Sequence, residues 1–242
     1  MKRSLIQAAL VLATALLFQS CKKEGETKSQ PGYQCTSCQT RPDALAENDA
    51  VGKGVYKGTV IGSSGTIKFA IQNGGNDIVA TLVIDGTTVN LASSVSWVSG
   101  QAYIAPFTGT LNGQPVSVIF SVQANGSNPI ITSANIPGHQ NAVFTLVKET
   151  SNALIECFEG TYSSTKPETG TFNIVLSRTL GKWGGTARKT GGGDKSDIDG
   201  TIENGIIKDG SRMVGTLSGD VITGSFQDSN GATITIDGKR TL

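Results

Sequence analysis

Turn-forming dipeptides recur along this chain between runs of β-branched and aromatic residues, and they constrain the fold more than any other feature. An Asn-Gly or Asp-Gly pair favours a type I′ hairpin turn, because both central residues of that turn need a positive φ. Glycine is abundant, at 31 of 242 residues. A chain with many such turns predicts a series of antiparallel hairpins. The pairs include Asp85-Gly86, Asn112-Gly113, Asn204-Gly205, Asp209-Gly210 and Asp237-Gly238.

Between these turns the apolar residues alternate with polar ones, as in strands with one buried face. Ile67, Phe69 and Ile71 form one such series, and a second runs from Val116 to Val122. A meander of hairpins has to close its edges, either by curling into a barrel or by pairing two sheets. The sequence therefore predicts an all-β fold with antiparallel meanders, either barrels or sandwich-like sheets.

The folded part also contains an apparent internal duplication. Three segments of the first half match three of the second half in the same order: 56–59 with 158–161, 65–71 with 170–176, and 107–113 with 213–219. From these matches we infer that the folded part consists of two tandem β units, 54–149 and 157–242. The alternative is the chance similarity that strand-rich sequences share. The succession of Gly-Thr, strand, glycine and strand loosely resembles calycin and avidin-like barrels, which implies a fold and does not define a function.

The first 21 residues predict export. Lys2 and Arg3 precede an apolar run over 5–18, which suits a signal peptide and is shorter than the ~20 residues of a membrane span. The segment from Leu17 to Cys21 resembles the lipobox of bacterial type II signal peptides, in the looser form known from Bacteroidota. That resemblance implies cleavage after residue 20 and a lipid on Cys21. The alternative is an ordinary signal peptide with a coincidental cysteine.

Residues 21–53 are predicted to form a lipidated flexible tether. Residues 22–26, two lysines followed by acidic residues, resemble the surface-export signal of Bacteroidota lipoproteins, and a solvated charged linker explains them equally well. A short helix is expected from Arg41 to Glu47, with Pro42 in the first turn. The expected location is the outer membrane, on its periplasmic or its cell-surface side.

The charge balance excludes one large class of partners. The chain has 20 basic and 19 acidic residues, and removal of Lys2 and Arg3 with the signal peptide leaves 18 against 19. A mature chain with a net charge of about −1 lacks the basic surface that nucleic-acid binding requires. The partners predicted instead are the membrane, through the lipid, and an outer-membrane protein or a surface ligand.

The cysteines predict one disulfide. Cys35 and Cys38 are separated by two residues, and an exported chain meets an oxidising compartment. We expect these two to be paired and Cys157 to be buried and unpaired. A bond from Cys157 to either of them is the competing arrangement.

No catalytic motif is found, and no catalytic residue, cofactor or metal site is predicted. His139 is the only histidine, and it lies in a turn-like segment. Asp194, Asp197 and Asp199 form an acidic cluster that does not follow the EF-hand spacing, which leaves a looser calcium site as an option. Asp197 and Asp199 are also the carboxylates that an unrecognised hydrolase site would use.

Four aromatic residues are candidate ligand platforms, because their faces suit sugar or peptide recognition: Trp97, Tyr103, Tyr162 and Trp183. Core packing is the alternative for each. Together these features predict a lipid-anchored binding or accessory protein without catalytic activity. The alternatives are a hydrolase with a carboxylate site and a calycin-like carrier of a small apolar ligand.

Overall fold

The computed structural model describes residues 32–62, 64–192 and 195–242. Within these ranges the chain is built from β-strands, and the one helical element is a short 3-10 turn at Ala46–Asn48. The strands form two successive antiparallel units, so the predicted all-β fold with two meander units is confirmed.

The first unit is an eight-stranded sheet in which the strands from β1 to β7 pair in sequence order, and β1 also pairs with β8. The strands β7 and β8 lie at its two edges, and β4 meets β5 at the single residue pair Ala92–Thr108. Its strands are β1 (Gly54–Ile61), β2 (Gly65–Ile71), β3 (Ile78–Ile84), β4 (Thr87–Ala92), β5 (Tyr103–Leu111), β6 (Gln114–Val122), β7 (Ile130–Asn135) and β8 (Val143–Glu149).

The second unit repeats this order of strands and closes into a barrel, because its first strand pairs with both the second and the last. Its strands are β9 (Glu156–Ser164), β10 (Glu168–Ser177), β11 (Lys182–Lys189), β12 (Lys195–Glu203), β13 (Ile206–Asp209), β14 (Arg212–Ser218), β15 (Val221–Gln227) and β16 (Thr233–Arg240).

The two units share a topology, but the three sequence matches do not all join equivalent strands. The first two matches relate β1 to β9 and β2 to β10, which hold the same places in the two units. The third relates the hairpin β5–β6 to β14–β15, and these are the fifth and sixth strands of one unit but the sixth and seventh of the other. The third match therefore reflects shared hairpin chemistry rather than equivalent positions.

Three of the predicted turns have the expected backbone. Asp85, Asn112 and Asn204 have φ values of 45°, 51° and 50°, and the glycine after each is also at positive φ. These are the backbone angles that a type I′ turn requires. Asp209-Gly210 also connects two strands, but only its glycine is at positive φ.

The turn predicted at Asp237-Gly238 is wrong, because both residues lie inside β16. Gly238 pairs with Gly160 of β9, and a Cβ at Gly238 would lie 2.8 Å from the ring of Phe172. A Cβ at Gly160 would overlap the same ring. The two glycines therefore make room for an aromatic side chain inside the barrel.

Aromatic side chains fill the interior of the first unit. Phe69 lies 4.5 Å from Phe120 and 4.9 Å from Phe107 between ring centroids, and Tyr56 lies 5.1 Å from Phe120. All four are fully buried. The predicted alternation at 67–71 and 116–122 supplies much of this core.

The two units are packed against each other through β1 and β10. All eight residues of β1 are buried: Tyr56 and Val60 belong to the first core, and the alternate residues face the second unit. In β10 the six residues from Phe172 to Ser177 are buried as well. The side-chain amide of Asn173 donates a hydrogen bond to the carbonyl of Val60 across this contact.

The part of the predicted tether that the structure describes, 32–53, is bound to both units. Asp43 lies 2.6 Å from Lys68 in the first unit, and the Tyr33 hydroxyl donates to the Arg240 carbonyl in the second. The helix expected over 41–47 is wrong: residues 41–45 are not helical, and the 3-10 turn begins only at Ala46. Contacts with the two units fix an extended path here, which overrides a weak local preference for helix.

Candidate functional site

The closed barrel of the second unit encloses a cavity of about 460 Å³. Strand alternation directs every second side chain inward, and these inward residues are mostly large and apolar. The walls include Phe172, Ile174, Trp183, Ile207, Val214 and Ile236. A cavity of this size falls in the range of about 300–1,000 Å³ that is typical of small-molecule sites.

One end of this barrel carries a network of ion pairs around the buried side chains of Glu156 and Arg240. Glu156 lies 2.8 Å from Arg178 and 3.1 Å from Arg240, and Arg240 also lies 3.6 Å from Asp220. The Glu156 and Arg240 side chains are only 3% and 6% exposed. We call this set of four residues the closed end.

The N-terminal segment covers the closed end from outside. The Tyr33 hydroxyl donates to the Arg240 carbonyl at 2.8 Å, and the Cys35 backbone N–H donates to the Asp220 carboxylate at 2.9 Å. The Arg240 guanidinium in turn donates to the Gln39 carbonyl at 2.6 Å. Access to the cavity is therefore from the opposite end of the strands, which we call the mouth.

Two polar clusters border the mouth. In the first, the Tyr162 hydroxyl donates to Glu168 at 3.1 Å, and Lys189 lies 3.2 Å from the same carboxylate. Burial and the neighbouring Glu168 raise the pKa of Tyr162 to about 12. The hydrogen bonds from Lys189 and Tyr162 lower the pKa of Glu168. At neutral pH the tyrosine is therefore a neutral donor and the glutamate a charged acceptor.

Arg212 forms the second cluster at the mouth. Its guanidinium pairs with Asp209, donates to the Gln227 carbonyl at 3.1 Å and lies 5.1 Å above the ring of Phe226. Asp228 is adjacent, and its carboxylate accepts hydrogen bonds from the backbone of the following turn. The mouth is thus polar and charged, whereas the walls below it are apolar.

The structure brings together two of the four predicted aromatic platforms. Trp183 and Tyr162 both line the cavity, and the Trp183 indole N–H donates to the carbonyls of Thr201 and Lys208. These hydrogen bonds fix the indole ring in the cavity wall and give its N–H two acceptors.

The other two aromatics belong to the first unit. Tyr103 is buried in its core and donates to the Val95 carbonyl at 2.9 Å, and burial raises its pKa. Trp97 packs on the edge of that core, with Lys53 4.8 Å above its ring. Within the described structure neither borders the cavity.

The acidic candidates are exposed at the side of the mouth. Asp197 and Asp199 flank Ile198 on β12, and Ile198 packs with the barrel core, so strand alternation directs both carboxylates away from that core. Asp194 lies outside the described residues. Across the ranges that the structure covers, no group of three or more His, Cys, Asp or Glu side chains is arranged to hold a metal ion.

The structure joins Cys35 and Cys38 in a disulfide, which is the pairing expected from the sequence. Cys157 is a free, fully buried thiol between Ile155 and Val175 at the contact of the two units, and burial raises its pKa to about 12. His139 lies in the first unit, 3.9 Å from Asp85. Cys21 and the signal peptide lie outside the described residues.

Sequence reasoning missed the residues that make the mouth. Glu168, Asp209, Arg212 and Asp228 are brought together from the ends of different strands, and no local pattern links them. The exception is the pair Asp209 and Arg212: the two residues are three apart in the sequence, on either side of one turn, so their contact could have been predicted.

No family model, curated protein or solved structure matches this chain. Among the described residues no helix is both long and apolar enough to cross a membrane.

Proposed function

We propose that this chain is a binding protein without catalytic activity, and that it holds a small apolar molecule inside its second barrel. The observation that carries the proposal is the apolar cavity of about 460 Å³ in that barrel. Of the alternatives raised by the sequence, the calycin-like carrier therefore becomes the specific form of the binding-protein hypothesis.

The contrast between the two units supports this role. Two β units with the same strand order enclose different interiors: the first is filled by the rings of Phe69, Phe107 and Phe120, and the second holds a cavity. Protein interiors are normally close-packed, so a cavity of this volume forgoes packing contacts that a bound ligand would restore. The first unit then serves as a rigid support against which β10 is packed.

Binding can be measured through one tryptophan. The chain has only two, so Trp97→Phe leaves Trp183 in the cavity wall as the sole reporter. We expect a neutral naphthylamine probe to bind saturably and to quench Trp183 by energy transfer. Ala187→Phe, which adds a ring to a residue lining the cavity, should abolish saturable binding.

The matched control is Ala92→Phe, the same change at an exposed position of β4 in the first unit. It should bind the probe as the parent does. Equal binding by the parent and Ala187→Phe would contradict the cavity as the site. Reproducible hydrolase turnover that Asp197→Asn removes would instead favour the enzyme alternative.

We further propose that the protein is anchored to the outer membrane through a lipid on Cys21. The support is the lipobox-like sequence at 17–21. A lipid on Cys21 would hold the protein on the membrane, because each buried CH₂ of an acyl chain contributes about 0.8 kcal/mol. Cys21→Ala should leave unprocessed precursor and no membrane-bound mature form, as judged by fractionation and mass spectrometry. A processed mutant that stays on the membrane would refute the anchor.

A further inference from the structure

We propose that the first unit rests on the membrane through an apolar surface formed by Val98, Ile104 and Ile130. This inference rests on the lipid anchor proposed above and adds how the protein is oriented on the bilayer. It follows from where the exposed apolar side chains lie, how little charge surrounds them and where the described chain begins.

Exposed apolar side chains are concentrated on one side of the molecule. In the described part of the chain, nine large apolar side chains are 37–61% exposed. Only Met213 lies near the mouth of the barrel, whereas the others lie at the end of the first unit where β1 begins or on the closed-end side of the second unit. We call that side the apolar side, and its members are Leu45, Val79, Val95, Val98, Ile104, Ile130, Leu180 and Ile206.

Both units contribute an end to this apolar side. The connection 150–155 leads from the end of β8 directly to the closed end of the barrel. The backbone N–H of Asp43 donates to Glu149 at 2.7 Å, and Tyr33 of the same N-terminal segment binds the closed end. On the opposite side of the molecule Arg188, near the mouth, donates to a carbonyl of the loop between β7 and β8.

The two most prominent apolar side chains of the first unit lie in one row on its outer face. Ile104 of β5 and Ile130 of β7 both pair with Ser121 of β6, and they are 61% and 51% exposed. The loop between β4 and β5 adds Val98, which is 51% exposed. This loop is held beside β5, because the Tyr103 hydroxyl donates to one of its carbonyls at 2.9 Å.

No charged residue lies in the segments that form this surface. Residues 86–147 contain no Asp, Glu, Lys or Arg, and they include β4 to β7 with the loops between them. Aliphatic side chains gain free energy on leaving water, whereas a charged group would pay a large desolvation cost. The acids of the apolar side, Glu47 and Asp77, belong to other turns.

The position of the anchor identifies the membrane as the partner of this surface. Residues 22–31 separate Cys21 from the described chain, and a segment of that length spans at most about 40 Å. The described chain then binds the closed end through Tyr33, on the apolar side. A lipid on Cys21 therefore attaches the fold to the bilayer from its apolar side and leaves the mouth of the cavity directed toward water.

Coupling through Cys21 tests the contact without depending on lipid attachment in cells. A chain that starts at Cys21 has one reactive thiol, because Cys35 and Cys38 form a disulfide and Cys157 is buried. This thiol is coupled to a maleimide lipid in vesicles of phosphatidylethanolamine and phosphatidylglycerol. The vesicles are prepared with and without brominated acyl chains, which quench tryptophan only at short range.

Trp97 reports the contact, because it lies in the same loop as Val98. In the coupled Trp183→Phe protein, we expect brominated lipid to quench Trp97. Adding Val98→Ser and Ile104→Ser together should lower the ratio of docked to undocked protein about tenfold and remove most of the quenching. The matched control Met213→Ser changes a side chain near the mouth that is also 51% exposed, and it should leave the quenching unchanged.

The failure of this contact is distinguishable from that of the anchor. If the coupled parent is quenched no more than the double variant, or if Met213→Ser loses as much quenching, the contact is wrong. The anchor is judged separately, by fractionation of the Cys21→Ala mutant. Self-association of the uncoupled chain that the double variant abolishes would assign the surface to a second copy and would also overturn the contact with lipid.

Discussion

At the scale of single residues, the most consequential polar contact is a buried ion pair between Lys57 and Glu149. The two side chains are 1% and 0% exposed, and the ammonium lies 2.6 Å from the carboxylate. Glu149 also accepts hydrogen bonds from the backbone N–H groups of Asp43 and Ile155. One carboxylate thus ties together the N-terminal segment, the first unit and the connection to the second.

Breaking this pair should be costly. Lys57→Met leaves Glu149 charged and buried without its partner, and we expect a loss of about 3–5 kcal/mol in the free energy of unfolding. The control is Lys189→Met, which breaks the solvent-exposed pair with Glu168 and should cost far less. Urea unfolding measures both. A loss in Lys57→Met no larger than in the control would contradict the importance of the buried pair.

At the scale of elements, β9 changes its surroundings from one residue to the next. Glu156 belongs to the ion pairs of the closed end, Cys157 to the contact between the units, and Phe158 to the core of the barrel. This follows from strand alternation together with packing on both faces. The thiol of Cys157 is therefore enclosed, whereas the other two described cysteines form a disulfide.

A thiol reagent should fail to label the native protein. In a chain that starts at Lys22, only Cys157 is a free thiol, and its pKa of about 12 keeps it protonated at neutral pH. Raising the pH from about 8 to about 10 should speed labelling of the unfolded chain but not of the native one, because the thiolate forms in the native state only as the pH approaches 12. Colorimetric thiol counting gives both rates.

Cys157→Ser is the control and should show no label even in denaturant without reductant. Rapid labelling of the native parent would refute the enclosure of Cys157. A crosslinked peptide containing Cys157 in a non-reducing digest would refute the assigned pairing.

At the scale of the whole molecule, the two units share a wall and should unfold together. β1 and β10 are buried on both faces only while the units are in contact, so separation would expose apolar residues such as Val55, Ile61 and Val175. Burial of that area favours a single cooperative transition.

One tryptophan in each unit allows a direct test. Trp97→Phe leaves a reporter in the second unit, and Trp183→Phe leaves one in the first. In each variant the fluorescence midpoint in urea should coincide with the midpoint from far-ultraviolet circular dichroism, which reports on both units. Two separated midpoints within either variant would show that the units unfold independently.

Much of the fold could be predicted from the sequence, because it depends on local chemistry. The turns at Asp85, Asn112 and Asn204 need residues that tolerate positive φ, and the alternation at 67–71 needs a buried face. The Asp237-Gly238 turn was mispredicted, because that glycine is required by the ring of Phe172 on another strand. A turn glycine and a packing glycine look the same in sequence.

The candidate site could be predicted only in part. All four aromatic candidates were predicted on the same grounds, but only Trp183 and Tyr162 line the cavity, whereas Trp97 and Tyr103 pack in or against the core of the first unit. The neighbouring sequence does not distinguish an aromatic residue in a cavity wall from one in a filled core. Likewise, the tether's polar composition did not show that Tyr33 and Cys35 bind the closed end of the barrel.

By itself, then, the sequence determined the strands, most of the tight turns and the number of β units, since each depends on φ preferences and alternation among neighbours. Tertiary structure alone decided which unit closes, which interior stays open and which charges meet at the mouth. Those outcomes depend on pairing β9 with β16 and on the fit of side chains such as Phe172 from distant strands. Contacts between residues far apart in the chain leave no periodic trace in the sequence.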